Sequence, residues 1–189
     1  MEAWYLIDGG LGAPAWNMAL DEALLESAPR TGCPVLRFYG WNEPAATFGY
    51  SQRYEQAAAL TPLRPLVRRT TGGGVVPHDA DWTYSLIFPP QHCWYRLRAA
   101  ESYLRLHEWL RVALGRVNVP ATLAAASQKE IPGHCFAGPE KSDVLWGGRK
   151  IAGAAQRRSR TGLLIQGSLQ PPPGTSRADW QAAMCRMWC

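Results

Sequence analysis

Three strand-like runs follow one another near the C-terminal end of the chain: SDVLWGG, RKIAGAAQRRS and GLLIQGSL, the first two joined near Gly147-Gly148. Strands separated by so little chain pair as antiparallel neighbours, because a parallel partner needs a long crossover. Upstream, PVLRFYGW and AATFGYSQ read as strands around a Trp-Asn-Glu-Pro turn, and DWTYSLIFP reads as another strand, stopped by Pro89-Pro90. Helical spacing appears between these runs and not in strict alternation with them. PAWNMALDEALLESAP places Trp16, Ala19, Leu20, Ala23 and Leu24 on one stripe, with Pro14 near its start and Pro29 at its end. YRLRAAESYLRLHEWLRVALGRV is the longest helical pattern, with Leu104, Trp109, Leu110 and Leu114 among its apolar positions. Regular βαβ alternation is missing, so a doubly wound fold is set aside. The pattern predicts an α+β fold: a central mixed or mainly antiparallel sheet flanked by helices.

Shorter features complete the reading. AWYLID is expected as a strand closed by a GGLGAP turn, YEQAAALT as a short helix, and RADWQAAMCRMWC as a last helix behind the QPPPGT break. At 189 residues the chain has length for one well-filled domain, and 1–189 is expected to be that domain, without a C-terminal accessory domain. The apolar runs are broken by charge, Gly or Pro, which excludes a spanning helix. The N-terminus lacks a basic start followed by an apolar stretch, so no signal peptide is expected. Five cysteines, at 33, 93, 135, 185 and 189, show neither a CxxC pair nor zinc-ligand spacing. The expectation is reduced thiols in a cytoplasmic protein, and no metal site. Net charge is +5, and Arg157, Arg158 and Arg160 cluster in QRRSRTG. The excess suits either an ordinary soluble surface or an acidic partner. No nucleic-acid-binding signature accompanies it, so nucleic acid comes last among the partners.

Two motifs carry candidate chemistry. In RRTTGGGVVPHD, Gly72, Gly73 and Gly74 follow Arg68 and Arg69 and precede His78 and Asp79. Glycines let a ligand lie directly on the main chain, where successive N–H groups can hold oxygen atoms. The spacing matches neither nucleotide-binding glycine motif. A tight hairpin turn is the plainer reading, but four polar groups around the triplet favour a binding loop. The second motif is GRKIAGAAQ. A strand lysine ordinarily meets solvent, yet Gly153, Ala154 and Ala155 beside Lys150 leave room for a bound chain. Lys150 could then hydrogen-bond an acyl carbonyl and stabilise charge developing on it. Cys135, in GHCFAGPEKSD, is by itself one loop thiol among five, either a bystander or a nucleophile, since a thiolate attacks readily and its thioester remains reactive toward amines. His134 is a poor candidate base, because adjacency in sequence does not place its imidazole on the neighbouring thiol, and His107 is expected at a surface or boundary position of the long helix. Trp41 and Trp146 are candidates for contact with a partner.

The ordered motifs NMALDEALL, LRFYGWNEPAATFGYSQ, RRTTGGGVVPHD, GRKIAGAAQRR and LLIQGSL resemble the lipoate–protein ligase and octanoyltransferase family, which is related to the biotin ligases. The resemblance runs from about residue 4 to 170. It implies a biotin/lipoate ligase-like domain with a hydrophobic tunnel for a medium-length acyl chain. Arg69, Gly73, Gly74 and His78 would line the site, Lys150 would contact the acyl carbonyl, and His78, brought near by the family's fold, would be a better candidate base than His134. The family contains ATP-dependent ligases that form a lipoyl-adenylate and cysteine-dependent transferases that form a thioester without ATP. In the transferases the cysteine lies in a Cys-Phe loop upstream of the lysine strand, as Cys135-Phe136 does here. Asp143 stands where the ligases carry a carboxylate that helps bind metal and phosphate.

The leading expectation is therefore an octanoyl or lipoyl transferase with catalytic Cys135 and Lys150 and no cofactor. Its substrate site would comprise Arg68, Arg69, Gly72, Gly73, Gly74, His78, Asp143, Gly153 and Ala155. An acyl carrier protein or glycine-cleavage H protein would be the donor, and a lysine of a lipoyl domain or H protein the acceptor. The alternatives are a ligase using ATP and Mg, with Asp143 at the metal and perhaps a separate subunit, and a non-catalytic acyl-binding module.

Overall fold

The computed structural model describes residues 3–128, 136 and 138–186. Seven strands form the main sheet: β1 (Tyr5–Gly12), β2 (Val35–Trp41), β6 (Trp82–Phe88), β10 (Gly162–Leu169), β9 (Arg149–Ser159), β8 (Val144–Trp146) and β7 (Thr122–Leu123), side by side in that order. β1 and β2 run parallel and every other neighbouring pair is antiparallel, so the sheet is mixed. β8, β9 and β10 are the three consecutive strands read from the sequence. A smaller sheet sets β3 (Ala45–Phe48) between β4 (Leu66–Arg68) and β5 (Val76–His78). The helices are α1 (Pro14–Thr31), α2 (Tyr54–Ala59), α3 (Cys93–Arg96), α4 (Ala99–Arg116) and α5 (Arg177–Cys185). No helix among the described residues is long and apolar enough to cross a membrane.

Side chains alternate between the two faces of a strand, and here the faces differ in chemistry. One face carries Leu36, Phe38, Tyr84, Leu86, Leu163 and Ile165, packed against α4 and α5 through Leu110, Leu114 and Trp180. The other face changes character along its length. Val35, Ile87 and Leu164 are in register and are covered by Leu25 and Ala28 of α1. The next row is Arg37, Ser85, Gln166 and Ala155, and the row beyond is Tyr39, Thr83, Ser168 and Gly153. An apolar floor thus becomes a polar one, and beyond the end of α1 it meets the small sheet.

That gradient explains a difference at α1. The spacing predicts a stripe of Trp16, Ala19, Leu20, Ala23 and Leu24, but the buried residues are Pro14, Asn17, Met18, Asp21, Leu25 and Ala28, and Trp16 is exposed. The helix docks through Asn17 and Asp21 because Arg37 lies beneath them. Arg37 donates to Asp21 Oδ1 at 2.7 Å and to Asn17 Oδ1 at 2.6 Å. Tyr39, Ser85 and Gln166 also donate to Asp21, at 2.8 to 2.9 Å. Charge pairing outweighs the apolar stripe, since an unpaired buried guanidinium would be far more costly than exposed Ala19 and Ala23 and half-buried Leu20 and Leu24.

Four further details depart from the sequence reading. β1 continues through Gly9, Gly10 and Gly12, with a register shift after Asp8, in place of a turn. Pro29 lies inside the last turn of α1, which ends at a left-handed Gly32. The long helical pattern is broken at Leu97-Arg98, both extended, into α3 and α4, and Leu104 is exposed. His107 is fully buried, not at the surface.

Candidate active site

Where the polar floor meets the small sheet, the chain leaves a partly open cavity. Its walls come from β2 (Tyr39, Trp41), β9 (Lys150, Gly153, Ala154, Ala155), β10 (Gln166, Gly167, Ser168), the small sheet (Thr47, Val76, His78) and the glycine loop (Arg69, Gly73). Met18, Thr83 and Phe136 complete it. Lys150 and Phe136 also border a broader groove walled by Trp146, Arg149, Gln170 and Pro171 to Pro173. Those two side chains therefore stand where the cavity and the groove meet.

The glycine loop is not a hairpin turn. β4 and β5 flank β3 and do not pair with each other, so the loop must cross the end of β3. It lies so close to Gly49 that a Cβ there would fall 2.0 Å from the carbonyl oxygen of Gly73. Gly73 itself has φ of 86°, a left-handed conformation that glycine takes without strain. Arg69 is buried and donates to the carbonyls of Gly72 (2.6 Å) and Gly74 (2.7 Å) and to Thr47 Oγ1 (3.2 Å). Arg69 thus shapes the loop as well as lining the cavity. Arg68 points elsewhere: its guanidinium lies over Phe48 and donates to the carbonyls of Tyr50 and Gln52. Gly72, Gly74 and Arg68 do not line the cavity; Gly73, Arg69 and His78 do.

His78 is tied at both ring nitrogens. Nδ1 is 2.9 Å from Asp81 Oδ2 and Nε2 is 2.9 Å from Thr47 Oγ1. With Nδ1–H donating to the carboxylate, Nε2 accepts from the threonine hydroxyl, which in turn accepts from Arg69. Trp41 stacks on the imidazole at 3.9 Å and donates from its indole to Thr83. Asp81 also accepts from Thr83 and Ser168. His78 is therefore a fixed wall, and a role as proton acceptor would require Thr47 to move. Asp79, the acid singled out by the sequence, is exposed, and its neighbour but one, Asp81, does the work. Trp41, half-buried, is likewise part of the cavity wall.

Lys150 is withdrawn from solvent, its side chain 6% exposed, and its Nζ is 2.7 Å from Asp143 Oδ2. The Phe136 ring centroid lies 5.2 Å from the same nitrogen. Gly153 makes the space, since a Cβ there would be 2.9 Å from both Cε and Nζ of Lys150. Asp143 is fully buried behind the lysine and does not line the cavity. It also accepts from the backbone N–H of Glu140 at 2.6 Å and from the hydroxyl of Tyr103. Burial, then the Asp143 charge, raises the Tyr103 hydroxyl well above its ordinary range, so it stays a donor. The carboxylate is committed to organic donors, which does not fit a magnesium ligand. Among the described residues no group of three acidic, histidine or cysteine side chains could hold a metal ion.

Cys135 lies outside the described residues, as does His134. The described cysteines 33, 93 and 185 are free thiols and do not line the cavity. Several cavity residues escaped the sequence reading. Thr47, Thr83, Gln166 and Ser168 look like ordinary strand positions, and only register across the sheet assembles them. Asp81 was legible in principle, three residues after His78. Of the arginine cluster, Arg158 is turned inward and donates to Tyr95, Trp94 and Ser102.

The model of the lipoyl protein ligase A/B catalytic domain family matches residues 13–170. Octanoyltransferase LipM of Moorella thermoacetica is 37% identical over 177 residues, covering 89% of this chain and 65% of the relative. The Bacillus subtilis protein of the same name is 34% identical over 181 residues, with the same coverage. The chain thus spans about two-thirds of the length of these curated relatives (65%). Among solved structures, a lipoate protein ligase of T. acidophilum superposes with a TM-score of 0.78 at 21% identity, over 98% of this chain and 83% of that one. Lipoate-protein ligase A bound with ATP gives 0.74 at 20% identity, over 98% and 83%. These structures share the fold.

Proposed function

The chain belongs to the lipoyl protein ligase A/B catalytic domain family, and from that premise we propose that it transfers an octanoyl or lipoyl group through a cysteine thioester to a protein lysine. The observation that carries this reading is Lys150, a cation withdrawn from solvent that lines both the cavity and the adjoining groove. In a site screened from water, a positive charge stabilises a developing oxyanion far more than it would in solvent. The names of the relatives support octanoyl as the group carried.

Cys135 acts as nucleophile. Its thiolate sulfur attacks the acyl carbonyl carbon of a thioester donor, the new C–S bond forms, the donor's C–S bond breaks, and the donor leaves as its thiolate. The acceptor lysine, as a free amine, then attacks the acyl-enzyme; the C–S bond breaks, Cys135 departs as thiolate, and it takes up the proton that the attacking amine loses as the amide forms. Lys150 faces the carbonyl oxygen in both steps. The chain lies in the cavity against Gly153, Ala154 and Ala155, and Arg69, Gly73 and His78 close the wall. An acyl carrier protein or H protein supplies the group, and a lipoyl domain or H protein accepts it, in a cytoplasmic setting that keeps thiols reduced. No ATP is required. The engagement of Asp143 with Lys150, Tyr103 and Glu140 supports thioester chemistry over adenylation, because it leaves the carboxylate unsuited to a phosphate-bound metal.

Intact-mass measurement after incubation with an octanoyl thioester tests the reading. The wild type should gain one octanoyl group and pass it to a lipoyl domain, and Cys135→Ala should do neither. Full transfer by Cys135→Ala, or lipoate-dependent exchange of pyrophosphate into ATP, would overturn it. Acyl binding without turnover would leave a binding module.

A further inference from the structure

Tyr103 and His107 are four residues apart on α4 and so share one face of the helix. Most of that face is apolar, with Leu106, Leu110 and Leu114 in the core. These two side chains instead direct polar atoms at consecutive residues of one loop. The Tyr103 hydroxyl donates to Asp143 Oδ1, and His107 Nδ1–H donates to the carbonyl of Ser142 at 2.7 Å. Their rings meet edge to face at 4.1 Å. Ser142 has φ of 71°, a left-handed conformation that a serine holds only at a cost, so something must keep it there. Asp143 then presents Oδ2 to Lys150. The order of contacts runs from helix to loop to carboxylate to ammonium, and only the ammonium reaches the cavity.

We propose that Tyr103 and His107 are positioning residues for Lys150, fixing Asp143 so that the ammonium is held at the cavity wall; this rests on the acyl-transfer reading above. A carboxylate that already accepts from Tyr103 and Glu140 has part of its charge satisfied and one rotamer favoured. It therefore anchors Lys150 without drawing the ammonium away from the cavity. Deleting the hydroxyl leaves Oδ1 buried without that donor, and Asp143 then competes with the substrate oxygen for Lys150.

The test is Tyr103→Phe, which keeps the ring and its packing. The expected result is a folded protein whose kcat for acyl transfer falls about tenfold or more, with KM for the thioester donor unchanged. Nitrogen-15 NMR of labelled lysine should show the buried Lys150 ammonium signal displaced in the variant. His107→Asn retains a donor in reach of the Ser142 carbonyl and should keep most of the activity that His107→Leu loses. Wild-type kcat in Tyr103→Phe, an undisplaced Lys150 signal, or a loss that only tracks the fraction unfolded would overturn the inference. If the wild type itself transfers no acyl group, the functional reading fails instead, and the NMR displacement still reports whether Tyr103 holds Lys150.

Discussion

His107 has one nitrogen on the Ser142 carbonyl and the other, Nε2, buried without a partner among the described residues. Burial, opposed in part by Asp143, pushes its pKa down to about 4, so it folds as the neutral imidazole. An unfolded chain protonates the same side chain near its ordinary value of about 6.5. Above that value both states are neutral and stability is complete. As pH falls from about 6.5 toward 4, only the unfolded state gains a proton. Stability should therefore decline, with this residue contributing up to about 3 kcal/mol. Urea unfolding of the wild type and His107→Asn across that range checks this, since the variant should lack this share of the slope. Identical slopes would show that His107 does not titrate in this way. The sequence showed a histidine in an amphipathic helix, but not that its side of the helix meets a loop carbonyl. Lys150 followed the same course: its identity and small neighbours were legible, and the buried partner Asp143 became its anchor only in the folded chain.

At the scale of elements, α1 shows how packing overrides a stripe. Its length and the proline near its start were legible because 3.6-residue spacing and Pro near the first turn are local signals. Its buried face was not, because that depends on Arg37, sixteen residues beyond Asp21 in the chain, lying beneath it. Asp21→Ala should destabilise the fold by about 3–5 kcal/mol by leaving a buried guanidinium unpaired. Pairing it with Arg37→Met should restore much of the loss, since an apolar replacement removes both charges together. Denaturant midpoints of the two variants decide this; a double variant no more stable than Asp21→Ala would show that the pair is not the source. The glycine loop offers the complementary case. Three consecutive glycines announce a special backbone, yet whether they turn a hairpin or cross another strand depends on which strands pair.

At the scale of the molecule, the net charge of +5 bears on encounter with partners. Lys141, Arg149 and Arg160 are exposed, and Arg149 borders the groove that leads to Lys150. With an acidic acceptor domain, kcat/KM should fall about tenfold or more between low and high salt, while the single-turnover rate of the formed complex stays constant. A kcat/KM indifferent to salt would remove electrostatic steering from the account. By itself the sequence determined the α+β class, the antiparallel run from β8 to β10, the family motifs and the candidate thiol and lysine. Each of these is written in local spacing or in the order of short motifs. Only the tertiary structure decided which face of α1 is buried, that His78 is held at both nitrogens, and that Asp143 and Tyr103 stand behind Lys150. Those outcomes join residues as far apart as Asp21 and Gln166. Whether a polar side chain is free or committed depends on partners that meet only when the sheet closes.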